Sequence, residues 1–145
     1  MQKNTDLTPR HESRMVQLVF PSDTNQYGVL FGGIAIAWMD QAAYVCAARW
    51  CRRKAVTAHI DAVDFRRSVP VGATVELIAR LMSTGRTSMR MEVEMWAEVL
   101  DAEEGPYQVV RGEFVMVALG DDNRPTPVPP FPPQDHSSTT KSNSR

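Results

Sequence analysis

One long stretch of apolar residues constrains the fold of this 145-residue chain more than any other feature. From Gly32 to Trp50 nearly every residue is Ala, Ile, Trp, Met, Val or Cys, which corresponds to about five turns at 3.6 residues per turn. A helix that is apolar on almost every side is surrounded by other protein. The stretch therefore predicts a buried helix, and the single acid inside it, Asp40, needs an explanation of its own.

The segments around this helix alternate between apolar and polar residues, as strands do. Strands are predicted at residues 13–20, 55–65, 74–82, 89–99 and 107–119. Because the last four follow one another through short connections, they predict a largely antiparallel sheet with the helix against one face, an α+β fold. A single curved sheet leaves the other side of the helix uncovered, so a partner subunit is expected.

Composition narrows the class of protein around this single domain. We predict a loose leader at 1–12, the domain at 13–120, and at 121–145 a tail rich in Pro, Ser and Thr that is disordered or lies on the surface. A net charge of -1 predicts neither nucleic-acid binding nor attraction to an anionic membrane. The leader has no signal-peptide core, and polar residues interrupt the apolar stretch, so we expect a soluble cytoplasmic protein without a membrane span.

Asp40 is the leading candidate for chemistry. A carboxylate is rarely buried without a partner, because removing its charge from water costs several kcal/mol. Asp40 is then an acid on the helix surface, an acid paired with Arg49 or with an arginine of another strand, or a catalytic group that activates water or attacks directly. The chain has no zinc signature, Ser-His-Asp set or phosphate-binding glycine loop, and we interpret Cys46 and Cys51 as small core residues.

The turn before the helix, "SDTNQYG", and the glycine pair after it supply further candidates. Asn25 either stabilises its own turn or orients a water or a carbonyl with its amide. Gly32 and Gly33 either give the helix start flexibility or let a substrate oxygen approach free backbone N–H groups there. Neither signal decides between its two interpretations.

Arginines are enriched at two places, in "RWCRRK" and at Arg66, Arg67, Arg86 and Arg90. Charges at strand ends are usually solvated. If the four separate arginines converge in space, they suit a phosphorylated ligand, because the guanidinium group binds phosphate with a fork of donors. His59 stands alone in a predicted strand and is a weak candidate for catalysis.

The segment "PSDTNQYGVLFGGIAIAWMDQAA" closely resembles the signature of the hotdog-fold acyl-coenzyme A thioesterases of the bacterial acyl-CoA thioester hydrolase and brain acyl-CoA hydrolase type. The likeness continues through "VTAHIDAVDFRRSVPVG" and "STGRTSMRMEVEMW" and covers roughly residues 14–120. It implies a hotdog fold, in which a sheet of about five strands wraps around one long helix, and hydrolysis of fatty acyl-CoA at sites between two subunits.

The resemblance also implies roles for individual residues. Asp40 matches the helix carboxylate that acts as base or nucleophile, and Asn25 the turn asparagine that faces it from the partner subunit. Gly33, with Gly32, matches the backbone that polarises the thioester carbonyl. The sequence "GRTS" matches a stretch near coenzyme A, so the substrate-binding residues would be Gly32, Arg67, Gly85, Arg86, Thr87 and Ser88. No metal and no cofactor is implied, since coenzyme A is part of the substrate.

Two other functions remain open for such a fold. An acyl-CoA-binding sensor or carrier would keep the nucleotide site and the apolar tunnel but would need no catalytic acid. A hydratase or dehydratase would pair an acid with a histidine, for which His59 is the weak candidate. The resemblance implies a dimer as the smallest unit and a hexamer made of three dimers.

Overall fold

The computed structural model describes residues 8–132 and contains one sheet and one long helix. Its elements are β1 (Glu12–Leu18), a 3₁₀ turn (Pro21–Asp23), α1 (Gly32–Cys51), β2 (Lys54–Phe65), β3 (Thr74–Thr84), β4 (Ser88–Glu98) and β5 (Tyr107–Leu119). The strands pair antiparallel throughout, in the order β1-β3-β4-β5-β2. The predicted antiparallel sheet with one helix, the hotdog arrangement, is confirmed.

Small residues on the helix face large residues on the sheet. The buried side of α1 consists of Ala35, Met39, Ala42, Ala43, Cys46, Ala47 and Cys51. The sheet supplies long side chains to the same core, among them Leu77, Met89, Met91, Met95, Phe114 and Met116. Because Ala and Cys side chains are short, the helix axis can approach the sheet closely, and the flexible methionines fill the remaining gaps.

The opposite side of α1 is open in the single chain. Gly33, Ala37, Gln41, Tyr44 and Val45 are exposed along it, and Tyr44 keeps 45% of its surface accessible. The sequence predicts that one side of the apolar helix is left uncovered by the sheet. In the structure this side of α1 is exposed.

β2 is an edge strand with most of its residues exposed. Val56, Ile60 and Phe65 are large apolar residues on it that remain 39 to 48% accessible. An edge strand presents unpaired backbone N–H and C=O groups that can pair with another strand. Together with the open side of α1, β2 forms a surface suited to a second copy of the chain.

The ends of the described chain are held against the domain. Arg49 donates to the carbonyl oxygens of Glu12, at 2.8 Å, and Thr8. The ring of Phe131 stacks on His11 and meets the edge of Trp50, with centroids 5.3 and 5.2 Å apart. The leader predicted at 1–12 is thus anchored from residue 8 onward.

The segment 121–132, which we call the strap, packs against the surface of the domain. Its backbone donates from Thr126 to Ala118 and from Val128 to Arg86, at 2.9 and 3.0 Å. Trp50 Nε1 donates to Pro129 O at 2.9 Å. Of the two forms predicted for the tail, the surface-lying form describes residues 121–132, while 133–145 lie outside the described residues.

The two faces of β5 give a test of this core. Phe114 is fully buried, whereas Val115 points to the other face of the sheet and is only partly buried. We expect Phe114→Ala to lower the free energy of unfolding by about 3 to 5 kcal/mol, since it removes a large core side chain. Val115→Ala, the matched control, should lower it by about 1 kcal/mol or less. Urea unfolding followed by circular dichroism measures both, and equal losses would contradict the assigned faces.

Candidate active site

Asp40 lies in the middle of α1 at the edge of its open side. Its Oδ1 accepts a hydrogen bond from the hydroxyl of Thr57 on β2. The same hydroxyl lies 3.3 Å from the sulfur of Met116, the residue paired with Thr57 across the sheet. These side chains line an open cavity of about 480 Å³, whose other walls are Met15, Gln41, Tyr44, Val45 and Ala55.

The structure excludes an ion pair for Asp40 among the described residues. Arg49, the predicted counter-ion, directs its guanidinium to backbone carbonyls near the N-terminus. Within residues 8–132, no cation forms an ion pair with Asp40. Pairing with Arg49 is therefore wrong. The carboxylate is half-buried, held by one hydroxyl group, and turned towards a cavity with mostly apolar walls.

Asn25 stabilises its own turn. Its Oδ1 accepts the backbone N–H groups of Tyr27 and Val29 at 2.9 and 3.3 Å, and its backbone N–H donates to Val29 O. Gly28 completes the turn with a φ of 75°, which favours glycine. Asn25 therefore stabilises its turn, as one of its two interpretations predicts. Its carboxamide NH₂ group donates to no acceptor in the part of the chain that the structure describes.

The glycine pair opens α1 without a side-chain cap. Neither glycine has a positive φ, and a Cβ added at Gly33 would meet no atom of residues 8–132 within 4 Å. Among the described residues, no group accepts a hydrogen bond from the N–H of Gly32 or Gly33. Neither backbone conformation nor crowding inside the chain therefore requires glycine at position 33, and its N–H is free at the positive end of the helix.

A single chain does not bring these groups to one reacting atom. Gly33 and Asp40 are seven residues apart and share one face of α1, so about 10 Å separates them along the axis. Asn25 is not among the residues that line the cavity of Asp40. Within one chain, Asp40 and Thr57 line this cavity, and neither Asn25 nor Gly33 does.

Arg67 is occupied by an acid of its own chain. It forms two hydrogen bonds with Glu104, at 2.6 and 3.2 Å, and lies 3.8 Å above the ring of Tyr107. This pairing lowers the pKa of Glu104 and raises the pKa of Arg67. A phosphate group would have to compete with Glu104 for the guanidinium. Gly32 lies nearby, in an adjoining cavity of about 340 Å³ that Arg67 also lines.

The segment Gly85–Ser88 forms the hairpin connection between β3 and β4. Gly85 N–H donates to Ser88 O, and Ala118 N–H to Thr87 O, at 2.9 and 3.1 Å. Through the strap this hairpin contacts Trp50, near the C-terminal end of α1. The full helix, about 28 Å between the first and last of its 20 residues, thus separates the hairpin from Gly32 and Gly33.

The four separate arginines do not converge in one chain. Arg66 lies 3.5 Å from Asp64, and Arg90 lies 3.1 Å from Glu113. Arg67 and Arg86 belong to opposite ends of the domain. Arg86 is the only one of the four without an acidic partner among residues 8–132.

The remaining candidates have structural roles or none. Burial raises the pKa of the Cys46 thiol to about 12, which makes it a poor nucleophile. His59 is exposed on β2, 3.9 Å from Asp61, and does not line the cavity of Asp40. Across the residues with described positions, no three His, Cys, Asp or Glu side chains are grouped to hold a metal ion. In the same part of the chain, no helix is long and apolar enough to span a membrane.

Comparison with known proteins identifies relatives with this architecture. Residues 27–102 match the thioesterase superfamily. An uncharacterised acyl-CoA thioester hydrolase of Zymomonas mobilis is 40% identical over 86% of this chain and 83% of its own. The human cytosolic acyl coenzyme A thioester hydrolase is 33% identical over 85% of this chain, which spans only 33% of that protein.

Solved structures extend the similarity to three dimensions. An apo-hexameric acyl-CoA thioesterase superposes with a TM-score of 0.81 at 36% identity, over 88% of this chain and 81% of its own. An acyl-CoA hydrolase from Staphylococcus aureus, in complex with butyryl coenzyme A and coenzyme A, has a TM-score of 0.79 at 28% identity, over 87% of this chain and 76% of its own.

Alanine variants of the S. aureus enzyme point to a residue that sequence reasoning missed. They replace an asparagine, an aspartate 15 residues later, and a threonine 17 residues after that. Asn25, Asp40 and Thr57 have the same residue types at the same spacing. Thr57 sits in a predicted strand, and only the fold shows that its hydroxyl reaches the helix carboxylate.

Proposed function

Since the chain belongs to the thioesterase superfamily and, within it, to the acyl-CoA thioester hydrolases, we propose that it hydrolyses fatty acyl-CoA to a free acid and coenzyme A with Asp40 as the catalytic carboxylate. One observation carries this proposal. A carboxylate without a counter-ion among the described residues faces a largely apolar cavity, and a neutral hydroxyl group fixes its orientation. Such a group is suited to remove a proton from water.

Thr57 acts as a positioning residue. Its hydroxyl occupies Oδ1 of Asp40, which leaves Oδ2 to accept a proton from water. The water oxygen then attacks the thioester carbonyl, the C–S bond breaks, and the sulfur leaves as a thiolate that takes up the proton. Direct attack by Asp40, which forms a mixed anhydride that water then hydrolyses, uses the same residues.

A second subunit supplies the other half of the site. The free N–H of Gly33 in the partner stabilises the oxyanion, and the NH₂ group of its Asn25 donates to the same carbonyl region. This arrangement is supported by the separation of about 10 Å between Gly33 and Asp40 within one helix. We further propose that β2 and the open side of α1 form the dimer interface, and that three dimers assemble as a hexamer; a similar acyl-CoA thioesterase is hexameric.

The proposed chemistry uses only protein groups and water. We therefore propose that the hydrolase needs neither a metal nor a cofactor, so that dialysis against EDTA leaves its rate unchanged. A cytoplasmic location is also proposed, on the ground that the human relative is a cytosolic enzyme.

The role of Asp40 is tested by Asp40→Asn. The amide keeps an oxygen for Thr57 but cannot act as a base, so we expect kcat to fall by about 100-fold or more. Release of free thiol from acyl-CoA of several chain lengths measures the rate. Asp61→Asn, which removes an exposed acid from the same edge strand, is the matched control and should leave the rate unchanged. If Asp40→Asn hydrolyses acyl-CoA at near the wild-type rate, Asp40 is not the catalytic base or nucleophile.

Gly33→Ala tests the backbone half of the site. The added methyl group meets nothing inside the chain, so the melting temperature should stay the same or rise slightly. If a thioester oxygen approaches this N–H, the methyl group obstructs it, and kcat/KM should fall by about tenfold or more. Gly105→Ala, whose methyl group also meets no atom, should change neither quantity. Full activity of Gly33→Ala would remove Gly33 from the site.

The two-chain site also predicts the mass in solution. Because Asp40 and Gly33 of one chain do not meet, an active protein should be at least a dimer at assay concentrations. Light scattering coupled to size-exclusion chromatography measures the mass, with activity assayed across the same fractions. An active monomer would show that one chain completes the site alone.

A further inference from the structure

A basic cavity at the C-terminal end of α1 is not used by the proposed catalytic site. Its volume is about 400 Å³, and it is lined by Cys51, Arg52, Arg53, Lys54, Leu119 and Asp121. Three consecutive cations thus face one cavity in a chain whose net charge is -1. No ion pair joins Asp121 to these cations in the described part of the chain, and neither Arg52 nor Arg53 has another acidic partner there.

Arg52 stands where its backbone favours glycine. It follows the end of α1 with φ 58° and ψ 31°, the left-handed conformation that glycine adopts most easily at this position. A long side chain in this conformation strains the backbone, and such strain persists where the surrounding structure or a function maintains it. The charged side chain of Arg52 contributes no ion pair to the described fold that would explain its presence.

The strap organises the neighbouring cations. Asn123 Oδ1 accepts from Lys54 Nζ at 2.6 Å, and Val128 N–H donates to the carbonyl oxygen of Arg86 at 3.0 Å. Ala118, beside Leu119 of the cavity wall, donates to Thr87. Arg86, which has no acidic partner among residues 8–132 and does not itself line the cavity, therefore belongs to the same end of the sheet as Arg52, Arg53 and Lys54.

This basic end lies within reach of the catalytic carboxylate. Ala55 lines the cavity of Asp40, and Lys54, the preceding residue of β2, lines the basic cavity. Along α1, twelve residues separate Asp40 from Arg52, about 18 Å. Along β2, three residues separate Thr57 from Lys54, about 10 Å. A ligand with its reacting group at Asp40 and a flexible arm could place an anionic group at the far end of this path.

We propose that Arg52, Arg53 and Lys54, together with Arg86, bind the phosphate groups of the nucleotide part of coenzyme A. The inference rests on the proposed function for the identity of the ligand. Guanidinium groups bind phosphate through paired N–H donors, which suits Arg52 and Arg53. Arg86 keeps the substrate-binding role that the resemblance implies, whereas the guanidinium of Arg67 is held by Glu104.

Binding of coenzyme A itself tests this assignment, independently of hydrolysis. We expect Arg52→Gly to raise the Kd for coenzyme A by about tenfold or more, because it removes charge-assisted hydrogen bonds to phosphate. The same substitution should keep or raise the melting temperature, since glycine fits the left-handed backbone. Binding and stability then change in opposite directions, which loss of structure does not produce. Arg53→Gln should also weaken binding, and Arg14→Gln, on the far edge of the sheet, is the control.

Further ligands separate the possible outcomes. Pantetheine, which lacks the phosphates, should bind wild type and Arg52→Gly equally. An unchanged Kd for coenzyme A in both arginine variants would overturn the inference. ADP, which carries the diphosphate without the pantetheine arm, should bind wild type and should lose affinity in Arg52→Gly; ADP binding that this substitution leaves unchanged would also overturn the inference. Absence of acyl-CoA turnover by wild type would defeat the proposed function alone, because these binding measurements do not depend on it.

Discussion

The packing of one helix across one sheet determines the rest of this structure. Five strands curve around a 20-residue helix, and short side chains on the helix let it approach the long side chains of the sheet. Gly112 of β5 shows how close this approach is, because a Cβ there would lie 3.5 Å from the end of Met39. With no second layer in the described chain, the far side of the helix is available for substrate and for another subunit, and Asp40 lies at the border between these two surfaces.

Much of this arrangement could be predicted from the sequence, because alternation and apolar content are local properties. The helix and all five strands lie within a few residues of their predicted positions. The core position of the helix and its open apolar side follow from the same patterns. The single acid in an apolar helix also directed attention to Asp40, which has no counter-ion among the described residues and accepts a hydrogen bond from Thr57; its catalytic role stays a prediction.

Features that depend on contacts between distant segments could not be predicted in this way. Thr57 is an ordinary strand residue until the fold places its hydroxyl on Asp40. Arg67 and Glu104 form an ion pair although they are 37 positions apart in the sequence. No local sequence pattern predicts such a pair. The strap is rich in proline, which predicts little order, yet the aromatic rings of Phe131, Trp50 and His11 hold it on the surface. Tertiary contacts override composition there.

The turn around Asn25 has a directional consequence. The carboxamide oxygen of Asn25 accepts both of the side chain's hydrogen bonds within the turn. This fixes the orientation of the carboxamide and leaves its NH₂ group free to donate to another molecule. The NH₂ group can donate a hydrogen bond but cannot accept a proton. Donation to the oxygen of a water molecule would make that water less nucleophilic. Of the two partners open to Asn25, the geometry therefore favours a carbonyl oxygen over an attacking water.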